Sequence, residues 1–370
     1  MSKMEIGLAV LDRQFELYKE EYEAAALRTL RSGWYILGPE VEAFETELAD
    51  FLGSRFCVGL NSGLDALILA VRALGIGAGD EVIVPSNTYI ATVLGITENG
   101  AIPVFVEPDE YHNLDADKIA AAITPRTKAI MVVHLYGQAA NMEKIGRLAE
   151  DNGLYLLEDC AQSHGARFAG KMTGTFGDIG CFSFYPTKNL GAFGDAGAVV
   201  TDNAELAEKL RMPRNYGSRV KYHNEITGVN SRLDEMQAAL LRVKLKHLAE
   251  LTAERKNIAA RYLAGIKNPV LRLPQLREGA DHVYHQFVVM TEKRDEFKEY
   301  LKNNGIDTVI HYPIPPHLAE CYKTLGLKKG DLPIAERYAG EVLSLPMFNG
   351  MTEAEIAYVI DVCNGYSKTE

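Results

Sequence analysis

The spacing of apolar residues along this chain changes several times, and the changes divide it into elements. Apolar positions recur at helical spacing over Glu16–Arg31, Ser32–Pro39 interrupts them, and Glu40–Leu52 resumes the period. This predicts two helices around a capped turn, with the lone Trp34 packed in the turn. Short continuous apolar runs then alternate with helical patterns. Strands are predicted at Glu81–Pro85, Ile102–Val106, Ala129–Val133 and Leu154–Glu158, and another around Gly180–Phe184. The helices between them are predicted at Thr88–Glu98, Ala116–Ile123 and Met142–Asp151. Buried strands separated by helices mark a mostly parallel sheet covered on both faces.

Gly197–Thr201 predicts a further strand, Ala204–Arg211 a helix and Asp234–Leu263 a long helix. From about 265 the pattern changes to strands at Val283–Met290 and Thr308–His311, and helices at Lys293–Asn303 and Glu353–Asn364. The expected architecture is α/β: a large domain over residues 1–264 and a smaller C-terminal α/β domain over 265–370.

Ligands of such sheets bind beyond the carboxyl ends of the strands. At those ends stand Tyr89 after the second run, Asp159 and Gln162 after the fourth, and Lys188 in a glycine-punctuated turn after the fifth. Lysine is almost never buried unless paired, so Lys188 is either a solvated loop residue or a nucleophile whose pKa desolvation lowers. Asp159 is equally a cap for the next segment. Asn61-Ser62-Gly63 opens a helical pattern; its free amides and hydroxyl suit an anion, although Asn and Ser are also ordinary N-caps. His164 reads as structural.

Composition removes several classes. The five cysteines lack C-x-x-C spacing, which argues against a disulfide framework or a zinc site, so no metal is expected. A net charge of −11 without a basic cluster gives nucleic acid no purchase. No apolar run reaches a membrane span and the N-terminus does not resemble a signal peptide, so a soluble, cytoplasmic protein is expected.

If the lysine, carboxylate, aromatic ring and phosphate-ready turn share one site, they meet the needs of pyridoxal 5′-phosphate. The lysine holds the aldehyde as an imine, the carboxylate keeps the pyridine nitrogen protonated, and helix-start amides bind the phosphate.

Longer motifs point the same way. Ser32–Val41, Asn61–Leu67, Glu158–Ala166, Phe182–Gly191 and Asn230–Ala238 resemble the DegT/DnrJ/EryC1/StrS sugar aminotransferases, which have the aspartate aminotransferase fold (fold type I). The resemblance implies that Lys188 forms the imine, Asp159 partners the pyridine nitrogen, Gln162 contacts the ring hydroxyl and Tyr89 stacks on the ring. It implies that Ser62, Gly63 and Ser183 hold the phosphate, and that Asn230 reaches the cofactor of a neighbouring subunit in a homodimer. Glutamate is the implied amino donor. The wording around Tyr185, and His311-Tyr312-Pro313, resembles the branch aminating C3 of dTDP-linked 3-keto-6-deoxyhexoses, with Tyr185, His311 and Tyr312 at the sugar. The alternatives are UDP-linked 3-keto-sugars or 4-keto-sugars. A sugar dehydratase of this fold carries histidine where this chain keeps Lys188, and a regulator would need a DNA-binding segment.

Overall fold

A computed structural model describes residues 3–367. Seven strands form the central sheet: β1 Phe56–Leu60, β2 Glu81–Pro85, β3 Ile102–Val106, β4 Thr127–Val133, β5 Tyr155–Asp159, β6 Ile179–Ser183 and β7 Gly197–Thr201. Their order is β1-β7-β6-β5-β4-β2-β3, and only β7 runs against the rest. The strands expected for this sheet are present to within two residues at each end, because buried strands read as uninterrupted apolar runs.

One face of the sheet packs Val58, Val82, Met131 and Val199 against α4 (Gly63–Ala73). The other packs Phe182 and Val200 against α3 (Pro39–Leu52) and the 31-residue α9 (Glu235–Gly265). α5 (Ile90–Thr97), α6 (Ala116–Ala122) and α7 (Met142–Asp151) fill crossovers between strands, and α8 (Ala204–Arg214) follows β7 and packs against α4 and β1. A separate apolar cluster joins the far half of α9 to α10 (Arg294–Asn303), α12 (Glu353–Gly365) and the antiparallel pair β8 (Phe287–Met290) and β9 (Val342–Leu345). Ile6 packs into the same cluster and bridges to Ile306.

Four expectations are corrected. The first helix starts earlier and is two: α1 (Leu11–Leu17) and α2 (Lys19–Ser32), broken at Tyr18, whose φ of −135° leaves the helical region. Thr308–His311 is not a strand. Only Val309 bridges to Ser344, and Pro313, Pro315 and Pro316 follow without N–H donors to extend a ladder. The strand expected from Val283 begins at Phe287, because Tyr284 takes a positive φ of 46°. Gly33 does cap α2 in the left-handed region, but Trp34 is exposed rather than packed in the turn, its indole N–H donating to the Ile36 carbonyl at 2.8 Å. α11 (Pro333–Glu341) and β9 escaped the sequence pattern. Among the described residues no helix is long and apolar enough to cross a membrane.

The start of α3 lacks a cap of its own, since Gly38 has no side chain. Buried Glu235 supplies one from α9, accepting from the amides of Gly38, Glu40 and Val41 at 2.8–2.9 Å. Its charge also faces the positive end of the α3 dipole. Glu235→Ala is therefore expected to lower stability by about 3 kcal/mol, measured by urea unfolding. A loss under about 1 kcal/mol would mean that water replaces the carboxylate.

Candidate active site

The carboxyl ends of the parallel strands and the start of β7 open into one cavity of about 490 Å³. It is lined by Ser62, Gly63, Tyr89, Asp159, Gln162, Ser183, Tyr185, Lys188, His311 and Tyr312. Ten of the eleven residues singled out in the sequence thus meet. Asn230 does not: it lies exposed at an isolated bridge to Asn215.

Lys188 sits in a tight turn between β6 and β7. Its amide donates to the Tyr185 carbonyl at 2.8 Å, and the Ala192 amide returns to the Phe184 carbonyl at 2.7 Å. Loss of solvent around the amine pushes its pKa down to about 8, and the Asp159 charge opposes that. In cofactor-free protein, acylation of Lys188 is expected to rise with pH about a midpoint near 8 rather than 10.5, since only the unprotonated amine reacts. Mass spectrometry of the Lys188 peptide after timed acylation measures this, and an ordinary lysine midpoint would place the amine in solvent.

Asp159 ends β5 and is buried. Burial raises its pKa, while hydrogen bonds and the charge of Lys188 favour the ionised form. Its Oδ1 accepts from the Ala161 amide at 3.1 Å, and its Oδ2 from the Thr92 hydroxyl at 2.8 Å. Thr92 has spent its proton, so Thr88 donates to it at 2.7 Å. This relay fixes the carboxylate with one edge toward the cavity.

Gln162 is held at both ends of its amide. Oε1 accepts from the Tyr136 amide at 2.6 Å and Nε2 donates to the Tyr312 hydroxyl at 3.1 Å. Tyr312 in turn lies against Tyr89, ring centres 5.0 Å apart. His311 meets Ser344 Oγ through Nδ1 at 2.8 Å, and burial followed by the Lys188 charge lowers its pKa to about 4, so it is neutral. Ser62 caps α4 by accepting from the Asp65 amide at 3.1 Å. A Cβ on Gly63 would strike Ser183, and one on Gly197 would strike the Ser62 carbonyl. The backbone is thus drawn close around the helix start, leaving amides and two hydroxyls facing the cavity.

Sequence reasoning missed Thr88, Thr92, His285 and Gln286, which also line the cavity. Thr88 and Thr92 lie within the segment read only as a helix. His285 stands two residues before the apolar run Phe287–Met290 and was absorbed into the strand expected from Val283. Its Nδ1 lies 3.2 Å from Asn189 Oδ1, tying the residue after Lys188 to the C-terminal part of the chain.

Neighbouring Glu158 is differently employed. His134, Glu158 and Cys160 bring possible metal-ligand atoms within 4.8 Å of one another. The lone pairs of His134 and Glu158 are taken, however: His134 Nδ1 accepts from the Ala140 amide at 3.1 Å, so Nε2 carries the proton and donates to Glu158 at 2.9 Å. Glu158 further accepts from the amides of Gly174, Phe176 and Gly177 at 2.7–2.9 Å. This is a satisfied hydrogen-bond centre beneath the sheet edge.

Residues 16–364 match the model of the DegT/DnrJ/EryC1/StrS aminotransferase family, and the chain belongs to that family. It is 50% identical over 97% of its length, and 95% of the relative's, to a dTDP-3-amino-3,4,6-trideoxy-α-D-glucose transaminase of Streptomyces venezuelae. It is 52% identical, over 94% of its length and 96% of the relative's, to a dTDP-3-amino-3,6-dideoxy-α-D-galactopyranose transaminase of Aneurinibacillus thermoaerophilus. Among solved structures, S. venezuelae DesV in complex with a ketimine intermediate superposes with a TM-score of 0.95 at 50% identity, covering 97% of this chain and 98% of that one.

Proposed function

We propose that this aminotransferase uses pyridoxal 5′-phosphate to move an amino group from L-glutamate to C3 of a dTDP-linked 3-keto-6-deoxyhexose, giving a dTDP-3-amino-3,6-dideoxyhexose. The observation that carries the reading is the Lys188 amine and Asp159 carboxylate facing one cavity whose edge is the crowded start of α4. Likeness to two dTDP-3-amino-sugar transaminases supports the sugar.

The donor set suits the cofactor. The close approach at Gly63 and Gly197 clears a cradle where Ser62, Gly63 and Ser183 would hold a phosphate by amides and hydroxyls. Asp159 would hold a proton on the pyridine nitrogen, Gln162 would donate its remaining N–H to the ring hydroxyl, and Tyr89 would cover a ring face. When bound, the cofactor supplies an aldehyde and an electron-accepting ring.

With the cofactor bound, Lys188 would have two tasks: its amine would hold the aldehyde, and as a free amine it would accept and return a proton. An amine with a pKa near 8 suits the second task, because it is partly unprotonated near neutral pH. Tyr185, half exposed at the mouth, with His311 and Tyr312 in the wall, would position the sugar. Neutral His311 would act there through hydrogen bonds rather than charge.

Asn230 belongs to this reading as the residue reaching a second subunit's cofactor. Exposed Tyr216, Tyr222, Ile226 and Val229 around it offer apolar surface to such a homodimer. The division into domains 1–264 and 265–370 is proposed too, supported by the separate apolar cluster beyond the middle of α9.

The test is incubation with glutamate and a panel of dTDP- and UDP-linked 3-keto- and 4-keto-sugars, with products identified by mass and NMR. Amination at C3 of a dTDP-3-keto-6-deoxyhexose is expected. Preference for a UDP-sugar or for C4 would refute the proposed substrate, and loss of a ring hydroxyl without amination would mean a dehydratase.

A further inference from the structure

A second lysine lies beneath the turn that carries Lys188. Lys244 projects from α9 among Leu240, Leu241, Leu245 and Leu248, at a position where the helical period calls for an apolar side chain, and it is 3% exposed. Among the described residues its amine has no carboxylate partner. Burial, and then the Arg255 charge, push its pKa down to about 7. An apolar residue there would avoid the desolvation cost of an amine, so the amine needs a local reason.

Its contacts supply one. The Lys244 amine lies 2.9 Å from Gln14 Oε1, 3.5 Å from the Lys188 carbonyl and 3.4 Å from the Gly191 carbonyl. Within the described hydrogen bonds neither carbonyl has another partner. The turn is so tight that a Cβ on Gly191 would strike the Pro186 carbonyl, which leaves its inner carbonyls facing α9 rather than solvent. An unpaired buried carbonyl is costly, and the amine, with three donors when protonated, answers both while Gln14 on α1 takes the third. A cavity of about 250 Å³ between α1, α2 and the turn lies alongside, so packing alone does not pin the turn on this side.

We propose that Lys244 is a positioning residue: it holds the turn bearing Lys188 by donating to the carbonyls of Lys188 itself and of Gly191. It never touches the substrate cavity and is absent from its lining. The role of Lys188 is taken from the proposed function, but the decisive measurement needs neither cofactor nor sugar.

Lys244→Met keeps an unbranched chain of similar length and removes the donors. In cofactor-free protein the acylation midpoint of Lys188 is expected to rise from about 8 toward 10.5, because a loosened turn admits water to the amine. In the loaded enzyme kcat should fall about 10- to 100-fold, with KM for glutamate changing less than about twofold. Lys244→Arg, which keeps donors, should recover most of both. Gln14→Leu should shift the midpoint the same way by a smaller amount, and it decides the matter should Lys244→Met not fold. A folded Lys244→Met with lowered melting temperature but an unchanged Lys188 midpoint would reduce Lys244 to a structural role and overturn the proposal. A shifted midpoint in a protein that aminates no keto-sugar would instead leave this proposal standing and sink the substrate.

Discussion

Lys188→Ala is expected to lower amino transfer by about 10⁴-fold or more while the protein stays folded. Among the described residues no other lysine or arginine lines the cavity, so no neighbouring amine stands ready to take over either task. Lys188→Arg should be as inactive, because a guanidinium stays protonated and cannot accept the proton. Stability should hold or improve, since the mutation deletes a desolvated cation. The measurement is single-turnover conversion of glutamate to 2-oxoglutarate, with urea unfolding alongside. A Lys188→Ala protein keeping more than about 1% of the rate would move the proton transfer to another group.

Asp159→Asn should lower the rate by about 10³-fold, a large effect for a near-isosteric change. The amide keeps an acceptor for Ala161 but presents N–H where Thr92 now donates, so the Thr88–Thr92 relay must reverse. The sign of the accompanying pKa change follows from the charge removed. Asp159 raises the Lys188 pKa against burial, so its loss should send the acylation midpoint below 8. A midpoint that stays or rises would mean that the two groups are not coupled across the cavity.

The sheet was legible because most of its strands are buried on both faces and the helices between them keep their period. The site was legible because chemistry at strand ends stands out against apolar runs, as Asp159 does after Leu156 and Leu157. What stayed hidden depends on groups that pair with something distant in sequence. Glu235 reads as one more helical acid until Gly38 is seen to lack a cap. Lys244 reads as a surface charge on a long helix until the turn at Lys188 is placed over it. His285 vanished into an apolar run because periodicity cannot tell a cavity wall from a core. Tyr18 broke a helix through its backbone angles, which composition does not record.

Glu158 and Asp159 make β5 a strand with two adjacent acids on opposite faces, only one of which can sit beside Lys188. A slip of one residue would exchange them and bring Glu158 to the cavity. The His134 ring and the three amides of residues 174–177 accept only one of the two placements, because they saturate a carboxylate that must point away from the lysine. The loop after Thr173 thus holds Glu158 on the face turned away from Lys188.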